Sequence, residues 1–226
     1  AAQKFFIYTF SASILMLLGI ITLYLLQEPS AANSSFTKRS FDMHEMIKTA
    51  QEEVIRGNIW LGAGTQKLLF VLFMVGFLVK LPVVPFHTWL PDAHVQAPTG
   101  GSMLLAGVML KMGGYGMFRI PISMFPHAVV EFQMLLMIIG MISLFYGAWV
   151  CLGQTNLKRM VAYSSVSHMG IILLGIASLQ PLGFAGAIFM MFAHGIISPM
   201  LFGVAGAFKH HYHTLEIGSM RGMAKH

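Results

Sequence analysis

Residues 77–116, FLVKLPVVPFHTWLPDAHVQAPTGGSMLLAGVMLKMGGYG, place two lysines, two histidines and four prolines inside a strongly apolar part of the chain. The surrounding composition makes that placement informative. Of 226 residues, 56% are hydrophobic and only 10% charged, and the mean hydropathy is +0.72, more apolar surface than a soluble core of this size uses. The chain therefore reads as an integral membrane protein. Its formal charge of +6 fits basic loops on the cytoplasmic or matrix side of a membrane better than nucleic-acid binding, because regularly spaced basic and aromatic residues are absent.

Hydropathy divides the chain into six apolar segments, about 5–26, 59–81, 99–120, 131–153, 159–178 and 183–208. Five approach the ~20 residues that a spanning helix needs. The second is shorter: Gln66 and Lys67 restrict its uninterrupted apolar run to residues 68–79, after which come Lys80, Pro82 and Pro85. Proline removes a backbone donor and clashes with the preceding turn, so the helix is expected to break there and expose carbonyls that lipid cannot satisfy. An interrupted helix in a membrane marks a transport site. The following HTWLPDAH is expected to return toward the interface, with His87 and His94 interfacial. The fold class expected is all-α: one polytopic membrane helical bundle over residues 1–226, with one interrupted helix.

Residues 28–58 form the long polar connection. Ser40 is a candidate N-cap, and Phe41, Met46, Ile47 and Ile55 share a face, which predicts a short amphipathic helix at the membrane surface. The acidic residues Glu28, Asp42, Glu45, Glu52 and Glu53 offset the basic residues of this connection. Lys4, the NLKRMV loop and the KHHYHTLEIGSMRGMAKH tail are basic, and six crossings put all three on one face, the cytoplasmic or matrix side by the positive-inside bias; Arg119 falls on the other. The opening AAQKFFIYTF reads as a helix entering from mid-protein.

Depth follows from the helical rise. Lys111 lies 12 residues from Thr99 and 8 from Arg119, roughly 18 Å from one end and 12 Å from the other at ~1.5 Å per residue. His168 and His194 fall at a similar depth in their segments, and Lys80 ends the short helix near the same level. A charge at the centre of a membrane helix costs ~2.5–3.5 kcal/mol, so four ionisable groups at one height suggest a polar layer across the bundle. Gly107, Gly114 and Tyr115 surround Lys111, while Ser164, Ser165 and Ser198 accompany the histidines. Small and hydroxyl residues leave room for water, and lysine and histidine both exchange protons when burial disfavours their charged forms. The same features admit a plainer reading in which the histidines are packing residues, Lys80 snorkels from a helix end and the prolines only shape a kink. Cys151 and the 19 methionines read as apolar packing, and HHYH at 210–213 as part of a solvated tail; no metal site is assigned.

The stretches FLVKLPVVPFHTWLPDAHVQAPTGGSMLLAGVMLKMGGYGMFRI and QTNLKRMVAYSSVSHMGIILLGIAS resemble the antiporter-like membrane subunits of respiratory complex I, the proton-pumping NADH:quinone oxidoreductase. KFFIYTFSAS and GAIFMMFAHGIISPMLFGVAG fit the same family, and the whole is most similar to the subunit M, or chain 4, type. The resemblance implies an inverted-repeat antiporter-like fold and a proton-translocating role coupled to quinone reduction elsewhere in the complex. It casts Lys80 as the lysine on the interrupted helix, governed by a glutamate on an earlier helix. Lys111 becomes the central lysine, and His168 and His194 histidines of the polar axis. Neither that glutamate nor the acidic residue of the second half-channel is present, so the chain resembles an internal excerpt that alone would not pump. The resemblance implies no cofactor in this chain, with NAD, FMN, iron–sulfur clusters and quinone in partner subunits. Its implied partners are the other membrane subunits, lipid and protons, without nucleic acid, in a bacterial inner membrane or an organelle's energy-transducing membrane. Related subunits of cation/proton antiporters and membrane-bound hydrogenases share much of the pattern, and a structural membrane-arm module is the third alternative.

Overall fold

A computed structural model describes residues 2–27, 41–55 and 61–220. Helices α1 (Ala2–Leu25), α2 (Met43–Ile55), α3 (Ala63–Lys80), α4 (Trp89–Gln96), α5 (Thr99–Leu104), α6 (Leu110–Met117), α7 (Pro126–Leu152), α8 (Leu157–Ala177) and α9 (Pro181–Tyr212) form an all-helical bundle. By length and composition, α1, α3, α7, α8 and α9 can each cross a membrane. The third apolar segment is one helical path from α5 through α6, but its hydrogen bonding widens to π turns at Leu105–Met109 and Phe118–Ile122, the second containing Pro121. Such widened turns let backbone groups find partners outside the regular ladder.

Helix α3 stops at the prolines. Leu81 N–H makes a last bond of 2.7 Å to Phe77 O, and the residue before a proline is driven out of helical geometry. The polar groups set free are satisfied by protein: Trp89 Nε1–H donates to Val79 O at 3.0 Å, and Val84 N–H donates to Ser143 Oγ at 2.9 Å. Pro82 is buried and Pro85 exposed. His87 and His94 are both buried: His94 lies on α4, which packs against α1 and α8, and His87 lies in the turn before it, beside the rings of Tyr146 and Tyr163.

The two ends of the bundle differ in chemistry. Asp92 Oδ2 accepts from Lys4 Nζ at 3.1 Å and Asp92 Oδ1 from Arg159 at 3.3 Å, tying α1, α4 and α8 together at one end. The chain after α9 returns to the same end, where Leu157 N–H donates to Leu215 O and Ile217 N–H to Thr155 O. Lys4, the 157–161 stretch and the start of the tail thus share one face. At the opposite end Lys67 of α3 pairs with Glu131 of α7 at 2.7 Å.

Ser40, the candidate cap of α2, lies outside the described residues, as do Glu28 and the side chains of Glu53 and Ile55. Asp42 provides a capping contact, its Oδ1 accepting from His44 N–H at 2.8 Å. Met46 and Ile47 are buried in the same core cluster as Leu23, and Phe41 stacks on Tyr24 with ring centroids 4.1 Å apart. The amphipathic helix therefore sits on the bundle.

Helices α7 and α8 meet through small residues. A Cβ at Gly170 would lie 2.6 Å from Leu144 N and 2.7 Å from Gly140 O, both backbone atoms that cannot step aside. Gly170→Val in the full-length protein is therefore expected to lower the thermal midpoint in detergent, the overpacking costing about 1–3 kcal/mol. Gly186→Ala, with nothing within 4 Å of the added methyl, is expected to leave it unchanged; an equal drop in both would contradict the packing account.

Candidate functional site

The packing of α9 on α8 and α6 turns Lys111, Ser165, His168, His194 and Ser198 toward one another inside the bundle. Lys111 Nζ lies 2.7 Å from His194 Nδ1 and donates to the carbonyl of Ala106, within the first π turn. A helical side chain leans toward its N-terminus, which brings this lysine back to that turn. His194 Nε2 stands 3.1 Å from Ser165 Oγ, which lies 3.4 Å from Ser198 Oγ. The His168 ring meets His194 edge-on at 5.5 Å between centroids, and His168 Nδ1 has no hydrogen-bond partner among the described residues. Ser164, His168, His194 and Ser198 line a cavity of about 70 Å³, enough for water.

Magnitudes show why a lysine is tolerated here. Hydrogen bonds to a charged group contribute ~1.5–3 kcal/mol each, so its two contacts are comparable with the ~2.5–3.5 kcal/mol insertion cost. No carboxylate is required. The imidazole nitrogen facing the lysine acts as acceptor while the ammonium is charged and as donor once it is neutral. A lysine and an imidazole at hydrogen-bond distance, continued by a hydroxyl, make a contiguous hydrogen-bonded chain.

Lys80 is placed differently. It ends α3 against α6, where a Cβ on Gly113 would be 3.0 Å from Lys80 Cβ and 2.7 Å from Leu81 N; glycine alone permits this approach. Lys80 shares a separate cavity of about 50 Å³ with Phe5, Thr9, Trp89, Leu105, Met109 and Leu110. Among the described residues no hydrogen bond joins it to Lys111. The layer read from depth is therefore one connected cluster around Lys111, His168 and His194, plus a lysine set apart from it.

Sequence reasoning passed over Pro199 and the π turn. Proline at 199 has no N–H for the carbonyl of Gly195 four residues back, and Gly107 abuts its ring, a Cβ there falling 2.9 Å from Pro199 Cγ. The signal available was a proline inside the apolar run of the last segment. His210, His211 and His213 are exposed, and no group of three or more His, Cys, Asp or Glu side chains positioned to hold a metal occurs among the described residues. Cys151 donates to Met160 O at 3.2 Å.

The family model "NADH:quinone oxidoreductase/Mrp antiporter, TM" matches residues 1–226. The chain belongs to this family. It is 43% identical over 224 residues to NADH-quinone oxidoreductase subunit M of Rickettsia prowazekii, covering 99% of this chain and 42% of that protein. It is 40% identical over 223 residues to the subunit M of Escherichia coli strain K12, covering 99% of this chain and 41% of that protein. Among solved structures it is similar to a chain of respiratory complex I from Thermus thermophilus, with a TM-score of 0.85 and 29% identity over 98% of this chain and 44% of that one. A chain of the Mrp complex from a Dietzia species shares the fold, with a TM-score of 0.78 at 21% identity over 99% of this chain and 38% of that one. The family member described here thus spans about two fifths of the length of the subunit M relatives it matches. It is a membrane protein with an antiporter-like helical fold.

In the connection between the spans, burial, then the charge of Lys158, then that of Lys111 pushes the His94 ring from 6.5 down to about 3. Burial and Lys4 also lower His87. The unfolded chain binds a proton at His94 below pH 6.5 that the folded protein refuses until about pH 3. Stability therefore falls as pH drops through that window, by up to roughly 1.4 kcal/mol per pH unit. The thermal midpoint of the detergent-solubilised protein is expected to fall across this window, and less steeply in His94→Phe. Identical slopes would show that His94 is not held neutral.

Proposed function

We propose that the chain is the central part of a proton-translocating membrane subunit of an NADH:quinone oxidoreductase, passing protons along the Lys111, His194 and His168 cluster while quinone is reduced elsewhere in the complex. The observation that carries this reading is the 2.7 Å contact between Lys111 Nζ and His194 Nδ1, continued through His194 Nε2 to Ser165 at 3.1 Å. A titratable pair with a hydroxyl exit, set among apolar helices, is suited to moving protons.

Lys80 supplies one entry to this sequence of events. A glutamate on a helix outside this chain would hold Lys80 protonated. When that glutamate moves or changes charge, the proton of Lys80 passes through water to Lys111 and on to His194 and His168. The prolines at 82 and 85 end the helix so that Lys80 stands in a cavity rather than in a regular ladder. The chain carries no redox chemistry in this reading: NAD, FMN, iron–sulfur clusters and quinone belong to partner subunits. Its partners are the other membrane subunits of that enzyme and the lipid of a bacterial inner or organelle energy-transducing membrane. The face bearing Lys4, Arg159 and Lys209 lies toward the cytoplasm or matrix. Exchange of another cation would call for oxygen ligands at mid-membrane. Among the described residues, the carboxylate within a span is Glu131, already paired with Lys67.

Arginine keeps a charge that cannot be shed at physiological pH, which separates proton transfer from fixed charge at Lys111. In the full-length subunit within its assembled complex, Lys111→Arg is expected to block NADH-driven proton uptake into membrane vesicles nearly as fully as Lys111→Ala. Near-parental uptake by the arginine variant beside an inactive alanine variant would leave Lys111 an electrostatic role only.

In the same assay Lys80→Met is expected to abolish most uptake with assembly intact, whereas His168→Ala or His194→Ala slows it by several-fold, because water in the cavity bridges a missing member. Parental rates in Lys80→Met, or complete loss in either histidine variant with normal assembly, would contradict this order of roles.

A further inference from the structure

The connection after the helix break carries an imidazole that the cluster above does not use. His94 is 0% exposed, its ring lies flat on Phe202 with centroids 4.2 Å apart and 14° between planes, and neither ring nitrogen has a hydrogen-bond partner among the described residues. A buried polar group without a partner costs ~1–3 kcal/mol, and an apolar ring would fill the same slot against Phe202 without that cost. The position of His94 gives the nitrogens a purpose. On α9, His194, Ser198 and Phe202 follow at four-residue spacing on one face, each step rising ~6 Å. His94 is thus about one turn beyond Ser198, on the side away from His194. On α8, Lys158 stands seven residues before Ser165, ~10 Å toward the same end. Lys158 is 1% exposed and donates to Ala97 O at 3.0 Å, three residues past His94. His194, the Ser165 and Ser198 hydroxyls, His94 and Lys158 therefore form a column from mid-height to the end where Asp92 pairs with Lys4 and Arg159.

We propose that His94 is a proton-transfer residue of this column, joining the Lys111–His194 pair to the basic face of the membrane. The inference rests on the function proposed above. With Lys158 and Lys111 both acting on it, the ring works as a neutral carrier. One nitrogen gains a proton from water on the Lys158 side as the other releases its proton to water bound at Ser198 or Ser165, and from there to His194 Nε2. A half-turn of the ring restores the starting tautomer, so no charge is left behind.

The test uses the full-length subunit in its assembled complex, with NADH-driven proton uptake normalised to assembled enzyme. His94→Phe keeps an aromatic ring on Phe202 but removes both nitrogens, and is expected to slow uptake at least tenfold; a rate within twofold of the parent would overturn the proposal. If the phenylalanine variant does not assemble, His94→Gln is measured against the same two limits. His94→Ala leaves a ring-sized void, and added imidazole is expected to restore uptake in it, at concentrations that leave the parent unaffected. A loss that imidazole does not repair would reduce His94 to a positioning residue and overturn proton transfer through it. Lys111→Ala separates the two readings: if it pumps normally, the proposed function fails, whereas an inactive Lys111→Ala beside a normal His94→Phe removes only the column.

Discussion

Everything on the functional side of this bundle depends on ending a helix inside a membrane without leaving its backbone bare. Lipid offers no hydrogen bonds, and each orphaned carbonyl or N–H there costs several kcal/mol. Pro82 and Pro85 end α3 regardless, so the protein must supply the partners. It does so with the Trp89 indole on Val79 O and the Ser143 hydroxyl on Val84 N–H. Those two bonds require the connection to fold inward, and that folding buries His87 and α4 with its His94, brings Asp92 within reach of Lys4 and Arg159, and sets Lys80 against Gly113.

A second irregularity sits beside the first. The π turn at Leu105–Met109 contains Ala106, whose carbonyl meets Lys111, and Gly107, against which Pro199 packs. Lysine and widened turn, neighbours on one helical path, thus meet the proline of α9 at one level. The lysine gains an acceptor from an irregular backbone and an imidazole from α9, so its ammonium is compensated by polar neutral groups. That differs from a buried ion pair: removing a proton leaves no uncompensated partner charge behind. The half-exposed ion pairs at the ends are of another kind, since pairs that solvated contribute roughly 0–1 kcal/mol; they orient elements and do little to hold the bundle together.

Much of this was legible in the amino-acid order alone, and for identifiable reasons. Long apolar runs report spans because helix length is set by bilayer thickness. Prolines after Lys80 report a break because they lack a donor. Lys111, His168 and His194 could be put at one depth because helical rise is constant. What depth does not carry is azimuth. Lys80 and Lys111 share a height, yet Lys80 enters a cavity with Leu105, Met109 and Leu110 while Lys111 points at α9, and only the packing of α3 on Gly113 decides that.

The histidines of the connection make the division clearest. From the sequence, polar ionisable residues beside a tryptophan and prolines belong at an interface, but that rule speaks only of depth and is silent on what covers them. In the bundle α4 is covered by α1, α5 and α8, so His94 lies on Phe202, a residue 108 positions away in the chain. Sequence by itself determined which helices exist, where one of them breaks and how deep the ionisable groups lie, since these follow from local chemistry and a fixed rise per residue. Which of those groups touch, and which are buried without a partner, was decided only by tertiary structure, because both depend on the rotation of each helix about its axis and on what covers it.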